Sequence, residues 1–259
     1  MTTTPTPSLL DLTGKRAIVT GASRGIGAAT ARLLAAAGAD VVIGFQSRQS
    51  DAERVAADVR ALGRRAALAR ADIGTHDGAE QLVRTAVDSL GGVDIYVANA
   101  GAWPAEARPM RDLDAERWHA TVRANLDSIF YTTRAVARVI TSGGRIVLVS
   151  STAGQRGEAM HADYAATKGA VISLTKSLAV ELAPQDVTVN CVAPGWVDTE
   201  MVESATASGG RERIASTIPL GRLASAEDIA GPIVFLCSTL ARHVTGEILN
   251  VNGGSVLCG

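Results

Sequence analysis

The sequence of 259 residues predicts an α/β fold, a doubly wound parallel sheet of seven strands with helices on both faces. Short runs rich in β-branched residues alternate with longer segments of helical periodicity, the pattern of repeated βαβ units. The hydrophobic fraction of 47% can fill a sizeable core, and one such domain is commonly this long. We therefore expect a single domain over residues 13–259, preceded by a flexible tail over residues 1–12 that is rich in Thr and Pro.

The predicted elements follow one another in regular order. Strands are expected at residues 16–20, 40–45, 66–71, 93–97, 145–150, 187–192 and 247–251. Helices are expected at residues 25–37, 51–62, 76–90, 113–140, 162–183 and 226–238. The alternation is interrupted over residues 195–220, where Gly, Ser and other small residues accumulate. In a doubly wound sheet the ligand site is expected where the strands end and the following helices begin.

A glycine-rich turn joins the first predicted strand to the first predicted helix. Its residues are Gly21, Ser23, Arg24, Gly25, Ile26 and Gly27, with Ala22 between the first two. Bare backbone amides and the positive end of the helix dipole then face an anion, and glycine lets a pyrophosphate approach closely. Glycines also make ordinary turns, but the order strand, turn, helix favours dinucleotide binding.

Tyr164 and Lys168 lie four residues apart in a helical segment, thirteen residues after Ser151. One helical turn places both side chains on the same face, where the cation favours the phenolate and lowers the pKa of the tyrosine. A Tyr and a Lys at this spacing also occur on helices where neither residue is catalytic. A hydroxyl at the end of the preceding strand can hold a carbonyl oxygen, and Ser150 competes with Ser151 for this role. The three residue types together predict a proton-transfer site for a ketone or an alcohol.

These motifs resemble those of the short-chain dehydrogenase/reductase family over nearly the whole chain. Thr20 precedes glycines at 21, 25 and 27, and further matches are Asp72, Asn99, Ala100, Gly101, Asn125, Ser151, Tyr164, Lys168, Pro194 and Gly195. The resemblance implies a single Rossmann-type domain with oxidoreductase activity, and a substrate loop over residues 195–220 that either closes as a lid or stays a passive surface loop. Ala98 departs from the family pattern, where many relatives carry a mainly structural Asn.

The resemblance also implies the roles of individual residues. Tyr164 would be the general acid in reduction and the base in oxidation, and Lys168 would lower its pKa and bind the nicotinamide ribose. Ser151 would hold the carbonyl oxygen and Asn125 a water of the proton relay. Cofactor contacts are implied at Asp72, Ile73, Asn99, Ala100, Gly101, Tyr164, Lys168, Pro194, Gly195, Val197 and Thr199. A dinucleotide sensor without activity would usually lack Ser, Tyr or Lys, all of which are present.

The second predicted strand is not followed by the carboxylate that NAD enzymes usually place there for the ribose 2′-hydroxyl. Gln46, Ser47 and Arg48 follow it, and no acid occurs before Asp51. Arg48 and Arg24 can clamp a 2′-phosphate, because planar guanidinium groups suit that anion, although either one would also suit a solvated surface. We therefore expect NADP(H) to be preferred, with NAD(H) left open.

The expected substrate pocket is mainly apolar with a few polar contacts. Its candidate residues are Trp103, Gln155, His161, Trp196 and Met201, each of which could also serve ordinary packing. Within the family the pattern is most similar to the 3-oxoacyl-[acyl-carrier-protein] reductases, which implies reduction of a 3-oxoacyl thioester or a related ketone to a secondary alcohol. Residues 102–105 differ from that group, so an NAD-dependent alcohol or sugar dehydrogenase remains the alternative.

Composition restricts the partners. The 25 Lys and Arg residues are balanced by 26 Asp and Glu, so no basic field exists for nucleic acid or an anionic membrane. We expect a cytoplasmic protein whose substrate is a small carbonyl or alcohol, including one carried on acyl carrier protein, and the family resemblance implies a homotetramer. Cysteines 191, 237 and 258 have no zinc or CxxC spacing and are expected to be reduced, and no metal is expected.

Overall fold

The computed structural model describes residues 10–257 and contains one parallel sheet with the strand order β3-β2-β1-β4-β5-β6-β7. Its strands are β1 (Arg16–Val19), β2 (Asp40–Phe45), β3 (Ala66–Arg70), β4 (Val93–Ala98), β5 (Ile140–Val149), β6 (Thr188–Pro194) and β7 (Ile248–Val251). The helices are α1 (Gly25–Ala36), α2 (Gln49–Ala61), α3 (His76–Leu90), α4 (Ala115–Val122), α5 (Ser128–Ala137), α6 (Thr152–Arg156), α7 (Ala162–Leu182), α8 (Glu203–Thr206), α9 (Gly210–Ala215) and α10 (Ala226–Cys237). The predicted fold class is confirmed.

Two predicted boundaries are wrong. The helix predicted over residues 113–140 consists of α4 and α5, joined by the wider π-helical turn Arg123–Asp127. Strand β5 begins at Ile140, where it pairs with Val93, and not at residue 145. The sequence obscures this early start because Gly143 and Gly144 resemble a turn, and Gly143 does adopt a positive φ of 77° within the strand.

The side chains of each central strand alternate between two hydrophobic clusters, one on each face of the sheet. In β4, Ile95 and Val97 face the cluster beneath α1, α2 and α10, whereas Tyr96 and Ala98 face the cluster beneath α3, α5 and α7. All six residues of β4 are buried. Burial on both faces explains the nearly continuous apolar runs that predicted the strands.

A polar cluster ties together the amino ends of β1, β4 and β5. Asp94 is 8% exposed, and its carboxylate accepts hydrogen bonds from the backbone and Nε of Arg16 at 2.9 and 2.7 Å. Thr141 Oγ1 donates to the other carboxylate oxygen at 2.7 Å. Burial raises the pKa of Asp94, but the hydrogen bonds from Arg16 and Thr141 outweigh this effect, so its pKa lies below the ordinary value.

The amino-terminal domain boundary is wrong by at least one residue. Leu12, assigned above to the flexible tail, is 2% exposed and packs into the core, and its amide donates to Ala37 O at 2.7 Å. Residues 1–9 and Cys258 lie outside the described residues. Cys191 and Cys237 are buried free thiols, as expected, and burial raises their pKa values to about 11 and about 12.

The segment over residues 195–220 is folded locally. It contains α8 and α9, and Ile214 and Ile218 form a small hydrophobic cluster with Leu223. An ion pair between Asp198 and Arg211 joins the start of the segment to α9. Within residues 10–257, no helix is long and apolar enough to cross a bilayer, and no group of three His, Cys, Asp or Glu side chains is placed to hold a metal ion.

Candidate active site

The carboxyl ends of the strands form a cleft in two adjoining parts. One part extends from Phe45 and Asp72 to the glycine turn, and the other continues past Ser151 and Tyr164 to Trp196. Both parts share Gly21, Ala100, Gly101 and Ala102. Because β1 lies between β2 and β4, the strand order reverses direction at this point, which is where open α/β sheets bind ligands.

The glycine turn fits an anionic group. Gly21 and Gly25 adopt positive φ angles of 62° and 53°, a region that favours glycine. A Cβ on Gly27 would lie 2.3 Å from Gly21 O, so the helix can approach the turn only without a side chain there. The first turn of α1 contains no acidic residue, and Arg24 provides no side-chain cap, which leaves the first amides of the helix available to a phosphate.

Asn99 and Thr20 hold the end of β4 against this turn. Thr20 Oγ1 accepts from the amides of Asn99 and Ala100, both at 3.0 Å. Asn99 Nδ2 donates to Thr20 O at 3.0 Å and to Gly21 O at 3.3 Å. The Asn99 side chain is thus committed to shaping the turn, and Ala100 and Gly101 line the cleft beside it.

Tyr164 and Lys168 project from the first two turns of α7 into the cleft. Tyr164 is 9% and Lys168 is 4% exposed, and Lys168 Nζ lies 5.7 Å from the centre of the phenol ring. The ammonium donates to Val149 O, at the end of β5, at 2.9 Å. The predicted pair is therefore brought together and fixed to the carboxyl end of the sheet.

The expected lowering of the Tyr164 pKa is wrong for this structure. Burial raises the pKa of the phenol to about 12, hydrogen bonding with Ser151 opposes the rise, and the negative charge of Glu158 adds to it. Burial also lowers the pKa of Lys168 to about 8. The phenol is therefore protonated at neutral pH.

The hydroxyl groups of Ser150 and Ser151 have different environments. Ser150 is buried, and its Oγ donates to Lys168 O at 2.7 Å. Ser151 caps α6 by accepting from Ala153 N at 3.1 Å, and it lines the same part of the cleft as Tyr164. This geometry favours Ser151 over Ser150 as the group that meets a carbonyl oxygen.

Close contact between α6 and α7 depends on Gly154. A Cβ there would lie 2.5 Å from the backbone carbonyl carbon of Lys168. We expect Gly154→Ala to destabilise the fold by about 1–3 kcal/mol, because α6 must move away from α7. Turnover should also fall, since Ser151 caps α6 and would move with it. Chemical denaturation and ketone reduction measure both effects.

Gly231→Ala is the matched control for this prediction. Gly231 lies inside α10 with no atom within 4 Å of its added Cβ, so this variant should be as stable as the parent or slightly more so. Equal denaturation midpoints and turnover for Gly154→Ala and the parent would contradict the proposed contact.

Asn125 is fully buried at the π-helical turn. Its Oδ1 accepts from Ala102 N at 3.0 Å, and its Nδ2 donates to Ala102 O at 2.9 Å and to Thr121 O at 3.1 Å. The amide is thus occupied by backbone groups and positions the chain that follows β4. This arrangement supports a positioning role for the side chain, and because both amide hydrogens are used, only the second lone pair of Oδ1 is left for the expected relay water.

Asp72 and Ile73 line the part of the cleft next to β2 and β3. Asp72 Oδ2 accepts from Arg123 Nη2 at 2.6 Å, and Oδ1 accepts from Gly74 N at 3.1 Å. The carboxylate that was expected to contact the cofactor is therefore held by Arg123, which no sequence motif indicated. Both side chains of this pair are substantially exposed.

Arg24 and Arg48 converge on a single carboxylate. Arg24 Nη1 lies 2.6 Å and Arg48 Nη2 lies 3.2 Å from Glu200 Oε2, and Arg48 is also 3.7 Å from Asp51. The two arginines are thus brought together as expected. Glu200 was missed, because no local pattern indicates that residues 24, 48 and 200 meet.

Pro194, the last residue of β6, lies along the wall of the cleft together with Gly195, Val197 and Thr199, which follow it. Val197 pairs with Ala224 in an isolated parallel bridge, and a Cβ on Gly25 would lie 3.4 Å from Thr199 Cγ2. The chain after β6 therefore crosses close to the glycine turn. Ser23 and Gly27 belong to that turn but do not line the cleft.

Trp103, Trp196 and Met201 line the far end of the cleft, as expected for a substrate pocket. The two tryptophan rings meet edge to face with centroids 5.9 Å apart. His161 and Gln155 are not among the lining residues. His161 is buried and stacks on Trp103 at 4.7 Å, whereas Gln155 Nε2 donates to Asn250 Oδ1 at 2.6 Å.

Further residues that no sequence motif indicated line this end, namely Arg156, Glu158 and Val202. Glu158 Oε1 accepts from Trp103 Nε1 at 3.2 Å and lies 3.5 Å from His161 Nδ1. Arg156 is exposed at the end of α6. This end of the cleft therefore combines an apolar wall with the charged side chains of Arg156 and Glu158.

Comparison with known proteins agrees with this geometry. A family model described as enoyl-(acyl carrier protein) reductase matches residues 21–255. A 3-oxoacyl-[acyl-carrier-protein] reductase from Synechocystis sp. is 39% identical, with 95% of this chain and 98% of that protein covered. An L-rhamnose 1-dehydrogenase (NAD(P)(+)) from Azotobacter vinelandii is 42% identical, with 94% of this chain and 97% of that protein covered.

A solved structure of a short chain dehydrogenase from Burkholderia cenocepacia J2315 in complex with NADP has a TM-score of 0.89 and 38% identity. The match covers 94% of this chain and 98% of the Burkholderia chain. The chain belongs to the short-chain dehydrogenase/reductase family. It is an oxidoreductase of the class whose members act on ketones and on alcohols.

Proposed function

We propose that this protein is an NADP(H)-dependent reductase that converts a ketone to a secondary alcohol by hydride transfer. The observation that carries this proposal is one cleft with Ser151, Tyr164 and Lys168 in one part and the Arg24–Arg48 pair near the glycine turn. When bound, the dinucleotide supplies the hydride from its reduced nicotinamide. The protein supplies binding, orientation and the proton.

Each part of the dinucleotide has candidate contacts in the chain. The amides after Gly21 would hold the pyrophosphate, and Arg24 with Arg48 would hold the 2′-phosphate. Lys168 would bind the nicotinamide ribose. The adenine would lie along Asp72 and Ile73, and the carboxamide would meet Val197 and Thr199. The other contacts proposed along the cleft are Gly25, Ile26, Asn99, Ala100, Gly101, Tyr164, Pro194 and Gly195. Ser23 and Gly27, which belong to the glycine turn and do not line the cleft, are proposed to act by shaping that turn around the pyrophosphate.

Tyr164 and Ser151 would have different roles at the substrate oxygen. The Ser151 hydroxyl would donate to the carbonyl oxygen and stabilise the alkoxide that develops there. The Tyr164 phenol, whose pKa burial raises to about 12, is protonated at neutral pH, as an unperturbed tyrosine also is, and would give its proton to that oxygen. Asn125 would act by positioning Ala102 and the chain beside the cleft.

The proposed substrate is a 3-oxoacyl thioester or a related ketone, including one carried on acyl carrier protein. The apolar wall formed by Trp103, Trp196 and Met201 suits an acyl chain, and the name of the Synechocystis relative supports this class. Oxidation of a sugar or another alcohol is the second candidate. It is supported by Arg156 and Glu158 at the same end and by the L-rhamnose 1-dehydrogenase relative.

A fluorescence titration of the purified protein with NADPH and NADH tests the cofactor, and a ketone panel that includes a 3-oxoacyl thioester tests the substrate. Tighter binding of NADPH and turnover of a panel member would support the proposal. Tighter binding of NADH, together with oxidation of alcohols or sugars, would favour the second candidate.

Arg24→Ala combined with Arg48→Ala is expected to weaken NADPH binding about tenfold or more, because charge-assisted hydrogen bonds to the 2′-phosphate are lost. NADH binding should change little. Arg32→Ala is the matched control, since Arg32 is an exposed arginine of α1 that pairs with Asp58. Equal losses for NADPH and NADH would contradict a 2′-phosphate site.

A further inference from the structure

Glu200 lies between the two arginines that the proposed function assigns to a phosphate. Its Oε2 accepts from Arg24 Nη1 at 2.6 Å and from Arg48 Nη2 at 3.2 Å. The side chains of Arg24, Arg48 and Glu200 are 49%, 51% and 54% exposed, so a solvent-borne anion can reach them. The three residues come from the glycine turn, the end of β2 and the chain after β6.

A carboxylate oxygen that accepts from two guanidinium groups has the same partners that an oxygen of a phosphate monoester would have. A phosphate brought to this point meets both arginines already neutralised, and it is repelled by the carboxylate between them. The cofactor without a 2′-phosphate has no group that competes for this position. Occupation of the arginines by Glu200 should therefore weaken the binding of one dinucleotide and not of the other.

We infer that Glu200 is a specificity-determining residue that competes with the 2′-phosphate of NADP(H) for Arg24 and Arg48. The inference rests on the proposed function, because it takes the arginine pair as the phosphate site. Glu200 thereby reduces the preference for NADP(H) over NAD(H) that the two arginines create. The chain can then use both cofactors more evenly than its arginines alone would allow.

The expected effect is modest, because ion pairs between exposed side chains are individually weak. Two such pairs on one carboxylate should reduce the affinity for a 2′-phosphate about three- to tenfold. Raising the salt concentration should diminish the effect, since exposed charges are screened.

Glu200→Gln tests the inference, because it removes the charge and nearly preserves the shape. The probes are NADPH and NADH, together with the fragments 2′,5′-ADP and 5′-AMP, which lack nicotinamide and report binding without catalysis. We expect Glu200→Gln to bind NADPH and 2′,5′-ADP about three- to tenfold more tightly than the parent. NADH and 5′-AMP should change less than twofold. Glu203→Gln, which removes an exposed carboxylate three residues away, should resemble the parent.

Unchanged or weaker binding of 2′,5′-ADP by Glu200→Gln would overturn the inference, since weaker binding would mean that Glu200 holds the arginines ready for the phosphate. Equal gains for all four probes would also overturn it. Preference of the parent for 2′,5′-ADP over 5′-AMP, with no gain in Glu200→Gln, would leave the arginine pair as a phosphate site and overturn only the inference. If neither the parent nor Glu200→Gln binds 2′,5′-ADP better than 5′-AMP, the arginine pair is not a phosphate site and both proposals fail.

Discussion

Tyr164→Phe is expected to lower turnover by about 10²–10⁴-fold, the contribution of a positioned general acid, while dinucleotide affinity stays nearly unchanged. The substitution removes one hydroxyl from a ring that is 9% exposed, so the packing around it should persist. The loss should appear in kcat measured with saturating cofactor and ketone. A fluorescence titration of the same variant gives the affinity.

Tyr131→Phe is the control for this prediction. Tyr131 lies on α5, against Phe130 and His76, and is not among the residues that line the cleft. Its hydroxyl should be dispensable for turnover. If Tyr164→Phe kept turnover within a few-fold of the parent, Tyr164 would not be the proton donor.

Arg117→Ala is expected to cost about 3–5 kcal/mol of unfolding free energy, the usual penalty for leaving a buried charge without its partner. Arg117 Nε donates to Asp163 Oδ2 at 2.9 Å, and Thr121 Oγ1 donates to the same oxygen at 3.0 Å. Asp163 has no exposed surface and precedes Tyr164 in the first turn of α7. Loss of Arg117 should therefore also loosen the segment that carries the proposed acid.

The pH dependence of this loss has a definite sign. Burial raises the pKa of Asp163, but hydrogen bonds from Arg117, the Tyr164 amide and Thr121 outweigh it, so the pKa is lowered overall. The lowered pKa stabilises the parent above pH about 3.8, and this contribution disappears as pH falls through the folded-state value. In Arg117→Ala the effect of burial should dominate and raise the pKa of Asp163. The difference in stability between variant and parent should then shrink on acidification.

Chemical denaturation at a fixed protein concentration, repeated at neutral and mildly acidic pH, measures both effects. Arg138→Ala is the matched control, because Arg138 and Glu80 form a surface pair at 3.0 Å that should contribute less than about 1 kcal/mol. Equal losses for the two variants would contradict the special importance of the buried pair.

The sequence predicts most of the fold because the buried strands have their own local signal. Val41, Val42 and Ile43 are all buried, so both faces of β2 are apolar, and helical segments follow the strands at regular intervals. Helix α6 was not predicted, because five residues are too few to show a helical period. It also contains Gly154, which allows the close contact with α7 but disfavours helix by itself. Local patterns thus predict elements, while close approaches between elements depend on the fold.

The candidate site was likewise predictable from the sequence only in part. Motif spacing predicts that Ser151, Tyr164 and Lys168 share one place, and they do. Spacing does not predict that burial raises the pKa of Tyr164, because solvent exclusion comes from the surrounding chain. The same holds for Glu200, whose distance of 176 residues from Arg24 leaves no local pattern for their contact.

The cluster of Arg16, Asp94 and Thr141 holds together the amino ends of β1, β4 and β5, at the end of the sheet opposite the cleft. Substitutions at that end of the sheet can change the free energy of unfolding without altering the residues that contact a ligand. During divergence towards a new substrate, a destabilising change near Trp103 can thus be compensated at the amino ends of the strands. In protein engineering, the amino ends of these strands should therefore be stabilised first, before the pocket is redesigned.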